Sequence, residues 1–171
     1  MSTFNGLPTH ILLNHFVLAL GPLAAILAVI CALWPAARRR LIWLVLMLAV
    51  VTLVLTPPTA NTGVWLQGKL EPSPAIVHHR QLGETLIYMV AALVATVAVL
   101  AAVHLRTARG RSVTFAVHAV VAVLVIAAAV ATLAQTYRVG ESGARAAWGP
   151  VTSAQALRVP AEPCCHGAAV E

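Results

Sequence analysis

Aspartate is absent from this 171-residue chain, and charged residues of every kind make up only 9% of it. Soluble domains carry about 25%, so this composition excludes a water-soluble globular domain. The only acids are five glutamates, set against eleven Lys and Arg. In a soluble protein that excess would suggest nucleic acid; here the basic residues fall between apolar runs and speak of membrane topology instead, so no nucleic-acid partner is expected. Three cysteines, one of them inside an apolar run, are too few for a disulfide framework. No phosphate-binding glycine loop and no nucleophile with a base beside it is present, which excludes an independent kinase or hydrolase. No positively charged segment precedes the first apolar run, so that run is expected to remain as an anchor and not to be cleaved as a signal peptide.

What the chain has is hydrophobic length. Sixty per cent of its residues are hydrophobic and the mean hydropathy is +0.89, gathered into four blocks at about 11–33, 41–56, 82–105 and 113–137. The first holds 23 uncharged residues, with Asn14 and His15 its strongly polar members. At about 1.5 Å per residue that is enough for a hydrocarbon core of about 30 Å. The second block is shorter and is expected to stop at Pro57-Pro58. The Pro- and Gly-containing stretch that follows, to about His78, reads as irregular, with Trp65 near the interface. The fold expected is an all-α, integral-membrane, four-helix up-down bundle over residues 1–149, with helices one and three on a diagonal. Residues 150–171 read as a flexible polar tail.

Segments 34–40 and 106–112 hold six arginines between them, Arg38, Arg39, Arg40, Arg106, Arg109 and Arg111. Lys and Arg are retained on the cytoplasmic side. A multi-pass protein of the cell membrane is therefore expected, with the two arginine turns inside and both termini outside the cytoplasm.

Seven histidines are many for so apolar a chain, and ionisable groups in or beside spans are candidate functional sites because they are costly there. His10, His15, His78 and His79 fall at the outer ends of helices one and three, while His104 and His118 lie toward the inner ends of three and four. His15 and His79 match in depth and sit on diagonal helices, the placement a bis-histidine haem b requires. Gly83, one turn beyond His79, would leave room for a macrocycle edge. Arg138 and Arg145, in a Gly-broken segment expected to end helix four and fold back over the outer mouth, are candidate partners for its propionates. A mixed nitrogen and oxygen site for zinc or copper from His10, His15, His79 and Glu84 is the other metal possibility. Against it, His10 and His15 are five residues apart and point different ways. For His10, His78, His104 and His166 taken individually, interfacial hydrogen bonding to carbonyls or headgroups is the favoured reading.

Glu84 has a ready partner in Arg80 at i−4; with Tyr88 it could alternatively serve a proton path or a quinol head. Cys164-Cys165-His166 has the chemistry of a soft-metal tract but lacks the spacing of a closed site or of covalent haem attachment. Cys31 reads as a small apolar packer. Ala91, Ala95, Ala98 and Ala102 on helix three, and Ala116, Ala119, Ala122, Ala127 and Ala131 on helix four, recur at spacings that permit close helix approach in lipid.

Three motifs carry a resemblance. Gly6-Leu7-Pro8-Thr9-His10-Ile11-Leu12-Leu13-Asn14-His15-Phe16, His79-Arg80-Gln81-Leu82-Gly83-Glu84 and the stretch from Tyr137 to Arg145 are similar to those of bacterial four-helix membrane proteins grouped as domain-of-unknown-function family 2231. The resemblance covers roughly residues 5–149. Because relatives occur joined to electron-transfer modules, it implies a redox setting and partners among respiratory or redox membrane proteins.

The function expected is membrane electron transfer through haem b at His15 and His79. The alternatives are a non-catalytic accessory or assembly subunit packing through its alanine faces, or a metal-binding membrane protein. A transporter is disfavoured because no charged residue occupies the middle of any span.

Overall fold

The computed structural model describes residues 3–4, 7–68 and 73–156. A two-residue antiparallel pair, β1 (Thr3–Phe4) with β2 (Leu7–Pro8), precedes four helices: α1 (Thr9–Leu33), α2 (Pro35–Gln67), α3 (Pro74–Ala108) and α4 (Phe115–Ala156). All four contain stretches long and apolar enough to cross a bilayer, and the architecture is that of a multi-pass membrane protein. Each helix packs along its two neighbours in the order α1, α2, α3, α4 and back to α1, whereas α1 and α3 meet only slightly. The diagonal expected of an up-down bundle is therefore present. One end of the bundle gathers the start of α1, the end of α2, the start of α3 and the end of α4. The opposite end carries the arginine turns.

The core alternates small against large. α1 contributes Ala24, Ala25, Ala28 and Cys31, packed against Ile42 and Val45 of α2, Leu93, Val97 and Leu100 of α3, and Val125 and Ala129 of α4. Alanines on one helix let the branched side chains of the next approach closely. Cys31 is fully buried in this cluster, the packing role its composition suggests. The alanines singled out on α3 behave otherwise: Ala95, Ala98 and Ala102 are exposed and Ala91 only partly buried, so that stripe faces away from the other helices.

Three boundaries differ from the sequence reading: α3 begins at Pro74, inside the stretch expected to be irregular to about His78, with its proline in the first turn where a missing amide costs nothing, and α2 and α4 both run on. Pro57-Pro58 does not end α2, which runs on to Gln67. The two prolines deprive the carbonyls of Leu53 and Val54 of their helical amides, yet the flanking turns are pinned by hydroxyls. Thr56 Oγ1 donates to the Thr52 carbonyl at 2.8 Å and Thr59 Oγ1 to the Leu55 carbonyl at 2.6 Å. Neither bond reaches the freed carbonyls; burial of Thr52, Thr56 and Thr59 against the neighbouring helices carries the helix through the prolines, which packing commonly makes tolerable in membrane helices. Likewise α4 does not end near Tyr137 and fold back. It continues straight through Gly140 and Gly143, because Val139 and Ser142 on that stretch are buried against the bundle and Glu141 pairs with Arg145 across one turn. At the start of the expected tail, 150–156 are still helical; the remainder, including Cys164, Cys165 and His166, lies outside the described residues.

At the arginine end, the α1–α2 turn is a single residue, Trp34. Proline at 35 has no amide to offer the Cys31 carbonyl. Arg38 replaces it, its Nε donating to Cys31 O and its Nη2 to Ala32 O, both at 2.8 Å. On the other side of this end, α3 closes through Gly110, whose φ of +73° is a left-handed conformation suited to glycine.

Candidate functional site

Polar chemistry concentrates in the half of the bundle where both terminal helix ends lie. α2 and α4 each carry a buried hydroxyl ladder, Thr52, Thr56 and Thr59 on one and Thr132 and Thr136 on the other. Gly21 of α1 sits between them, where an added Cβ would meet Thr136 Oγ1 and Thr52 Cγ2 at 3.7 Å. Every one of these hydroxyls donates to the carbonyl four residues back. Gln135 stitches α4 to α3, its amide donating to the Leu82 carbonyl at 2.8 Å and to the Thr85 hydroxyl. Among the described residues, no buried side-chain polar atom lacks a partner. The ladder hydroxyls are thus spent within their own helices, while Gln135 and a second contact of Thr132 Oγ1, 3.2 Å from the Met89 carbonyl, tie α4 to α3.

Above this layer, His79 of α3 meets α4. Its Nδ1 lies 2.9 Å from Ser142 Oγ, and its ring rests on Gly143, where a Cβ would come within 3.1 Å of Cε1. Ser142 Oγ donates its own proton to the Val139 carbonyl at 3.0 Å. With that hydroxyl proton so placed, His79 Nδ1–H is the donor in the contact with Ser142.

Beside this contact an open groove of about 520 Å³ runs between the start of α3 and the end of α4. Ala75 and Leu82 form its apolar wall; His78, Arg138, Glu141, Ser142 and Arg145 supply the polar side. Arg145 Nη2 is 2.6 Å from Glu141 Oε1, whereas Arg138 has no ion pair among the described residues. With two arginines against one glutamate the groove carries a net positive charge. The groove lies toward the charged ends of the two long apolar helices α3 and α4.

The residues proposed from sequence are thus partly assembled. His79, Arg138 and Arg145 come together at this α3–α4 seam. His15 does not join them from the bundle interior: it is exposed on α1, and the space between α1 and α3 is filled by Val17, Leu86 and Val90 together with Val139 of α4, each no more than 3% exposed. Gly83 is partly buried and has no atom within 4 Å of an added Cβ. Glu84 is held by Arg80 at 2.7 Å with both side chains about half exposed, the i,i+4 pair that the spacing suggests. Tyr88 is exposed. The His10 side chain lies outside the described residues; among those described, no three of His, Cys, Asp and Glu gather as a metal site would need. At the arginine end, His118 Nδ1 is 3.2 Å from the Thr114 carbonyl of its own helix start, a local contact.

The groove was not legible in the sequence because α4 was expected to end before Arg145. The buried threonines were missed too, although Thr at 52, 56 and 59 recurs at one-turn spacing and is a usable signal for a buried hydroxyl face. Compared with family models, curated proteins and solved structures, the chain matches none.

Proposed function

We propose that this membrane protein binds an amphipathic, acid-headed molecule at its histidine end, taken laterally from the bilayer into the groove between α3 and α4. One observation carries the reading: an apolar wall of Ala75 and Leu82 faces a cationic rim of Arg138 and Arg145 at the ends of the apolar helices. Such a groove suits a molecule with one wet and one oily end, because each half meets its own solvent. By the arginine count of the turns, this end lies outside the cytoplasm.

Mass spectrometry of organic extracts from detergent-purified protein tests this. A lipophilic acid is expected in about equal amount to the protein and is expected to be lost from Ala75→Trp, which fills the groove. Equal extracts from both proteins would end the reading.

A second reading keeps the electron carrier with haem b, in keeping with the redox setting that the family resemblance implies. It is supported by the Nδ1-protonated His79, because a ligating histidine is held in that way by a hydrogen bond from its other nitrogen, and by arginines nearby for propionates. The filled space between α1 and α3 argues against His15 as the second ligand. A pyridine haemochrome spectrum and elemental analysis decide between the two: a stoichiometric b-type signal abolished in His79→Ala would establish the carrier. If neither haem nor a lipophilic ligand is present, the accessory-subunit reading gains, with the exposed alanines of α3 as its contact face.

A further inference from the structure

Building on the groove reading, we propose that its occupant is an anionic phospholipid whose phosphodiester lies between Arg138 and Arg145. Three observations on this chain point to that class. Arg138 and Arg145 are seven residues apart on α4, two turns on one face and about 10 Å along the axis, so they bracket a headgroup instead of chelating a single small ion. Glu141, the acid that would attract the ammonium of a zwitterionic lipid, is engaged by Arg145 at 2.6 Å, and Arg138 has no ion pair among the described residues, so the charge left unpaired at the groove is positive. Lastly, the same seam has a second, shallow apolar depression of about 120 Å³ lined by Ala95, Thr96, Val99, Val121 and Leu124. From Arg138 to Leu124 is 14 residues, or about 20 Å of helix, and half of a bilayer of about 40–45 Å is the same length. The depression therefore lies where an acyl chain of a lipid seated at Arg138 ends. The α3–α4 seam accepts the chain, and the arginines select the charge.

Native mass spectrometry of the full-length protein in detergent, titrated with dioleoyl phosphatidylglycerol and, separately, dioleoyl phosphatidylcholine, tests this. One phosphatidylglycerol per chain is expected, favoured about fivefold, the effect of one interfacial arginine of about 1 kcal/mol. Arg138→Gln is expected to erase the preference. Arg106→Gln, which removes the same charge at the opposite end, is expected to retain it. Equal affinity for the two lipids, or equal losses in the two variants, would overturn the proposal. Ala75→Trp separates the failures. If it displaces lipid of either kind while no charge preference exists, the groove reading survives and the phosphodiester assignment falls; if it displaces nothing, both fall. Circular dichroism checks that each variant keeps its helices.

Discussion

Replacing Arg38 by alanine tests how the bundle closes its one-residue turn. Proline at 35 removes the amide that would serve the Cys31 carbonyl, and the chain reversal at Trp34 leaves Ala32 in the same position; the two guanidinium bonds at 2.8 Å serve both. A carbonyl left without a partner costs about 1–3 kcal/mol when dehydrated. Arg38 is only partly buried, so water can reach the vacated carbonyls and the low end applies to each. The lost cation at a helix C-terminus adds about 0.5 kcal/mol. The sum is about 2–3 kcal/mol, to be read by equilibrium unfolding in mixed dodecyl sulfate micelles. Arg38→Lys is expected to recover less than half, because an ammonium is a point charge and not a planar fork. Arg39→Ala controls for the loss of one positive charge; Arg39 is exposed, and a change below about 0.5 kcal/mol is expected. Equal destabilisation by Arg38→Ala and Arg39→Ala would refute the capping argument.

Other positions give independent checks. Gly21→Ala is expected to be tolerated, since its Cβ would sit 3.7 Å from Thr52 and Thr136, whereas Gly21→Leu is expected to cost about 1–3 kcal/mol by overpacking in the same unfolding assay. Gly143→Val is expected to push His79 off Ser142, given 3.1 Å from a Cβ to the ring. Nitrogen-15 chemical shifts of His79 report the loss of the Nδ1-protonated form, and unchanged shifts would show that the contact does not set the tautomer. In a background with Cys164 and Cys165 replaced by serine, Asn61→Cys is expected to react with an impermeant maleimide on intact cells. Ser112→Cys is expected to react only after permeabilisation; the reverse pattern would invert the assigned orientation.

The sequence by itself determined how many helices there are, which turns carry the arginines and which helices lie diagonally. These follow from run length, local charge and short connections, and need no knowledge of neighbours. It also placed the Arg80–Glu84 pair, because i,i+4 spacing is a local rule. Tertiary structure decided the rest. Whether Pro57-Pro58 ends a helix depends on what holds the adjoining turns, and there the buried threonines hold them. Whether Tyr137 to Arg145 breaks at its glycines depends on packing of Val139 and Ser142 against the bundle, and that packing brings Arg145 into line with Arg138. The orientation of His15 is the sharpest case. Depth can be read from hydropathy, but a helix apolar on all sides has no strong period to say which face turns inward. The packing of Ala24, Ala28 and Cys31 in the main core and of Val17 against Leu86 and Val90 fixes α1's rotation, and it leaves His15 on the outside while His79 faces α4.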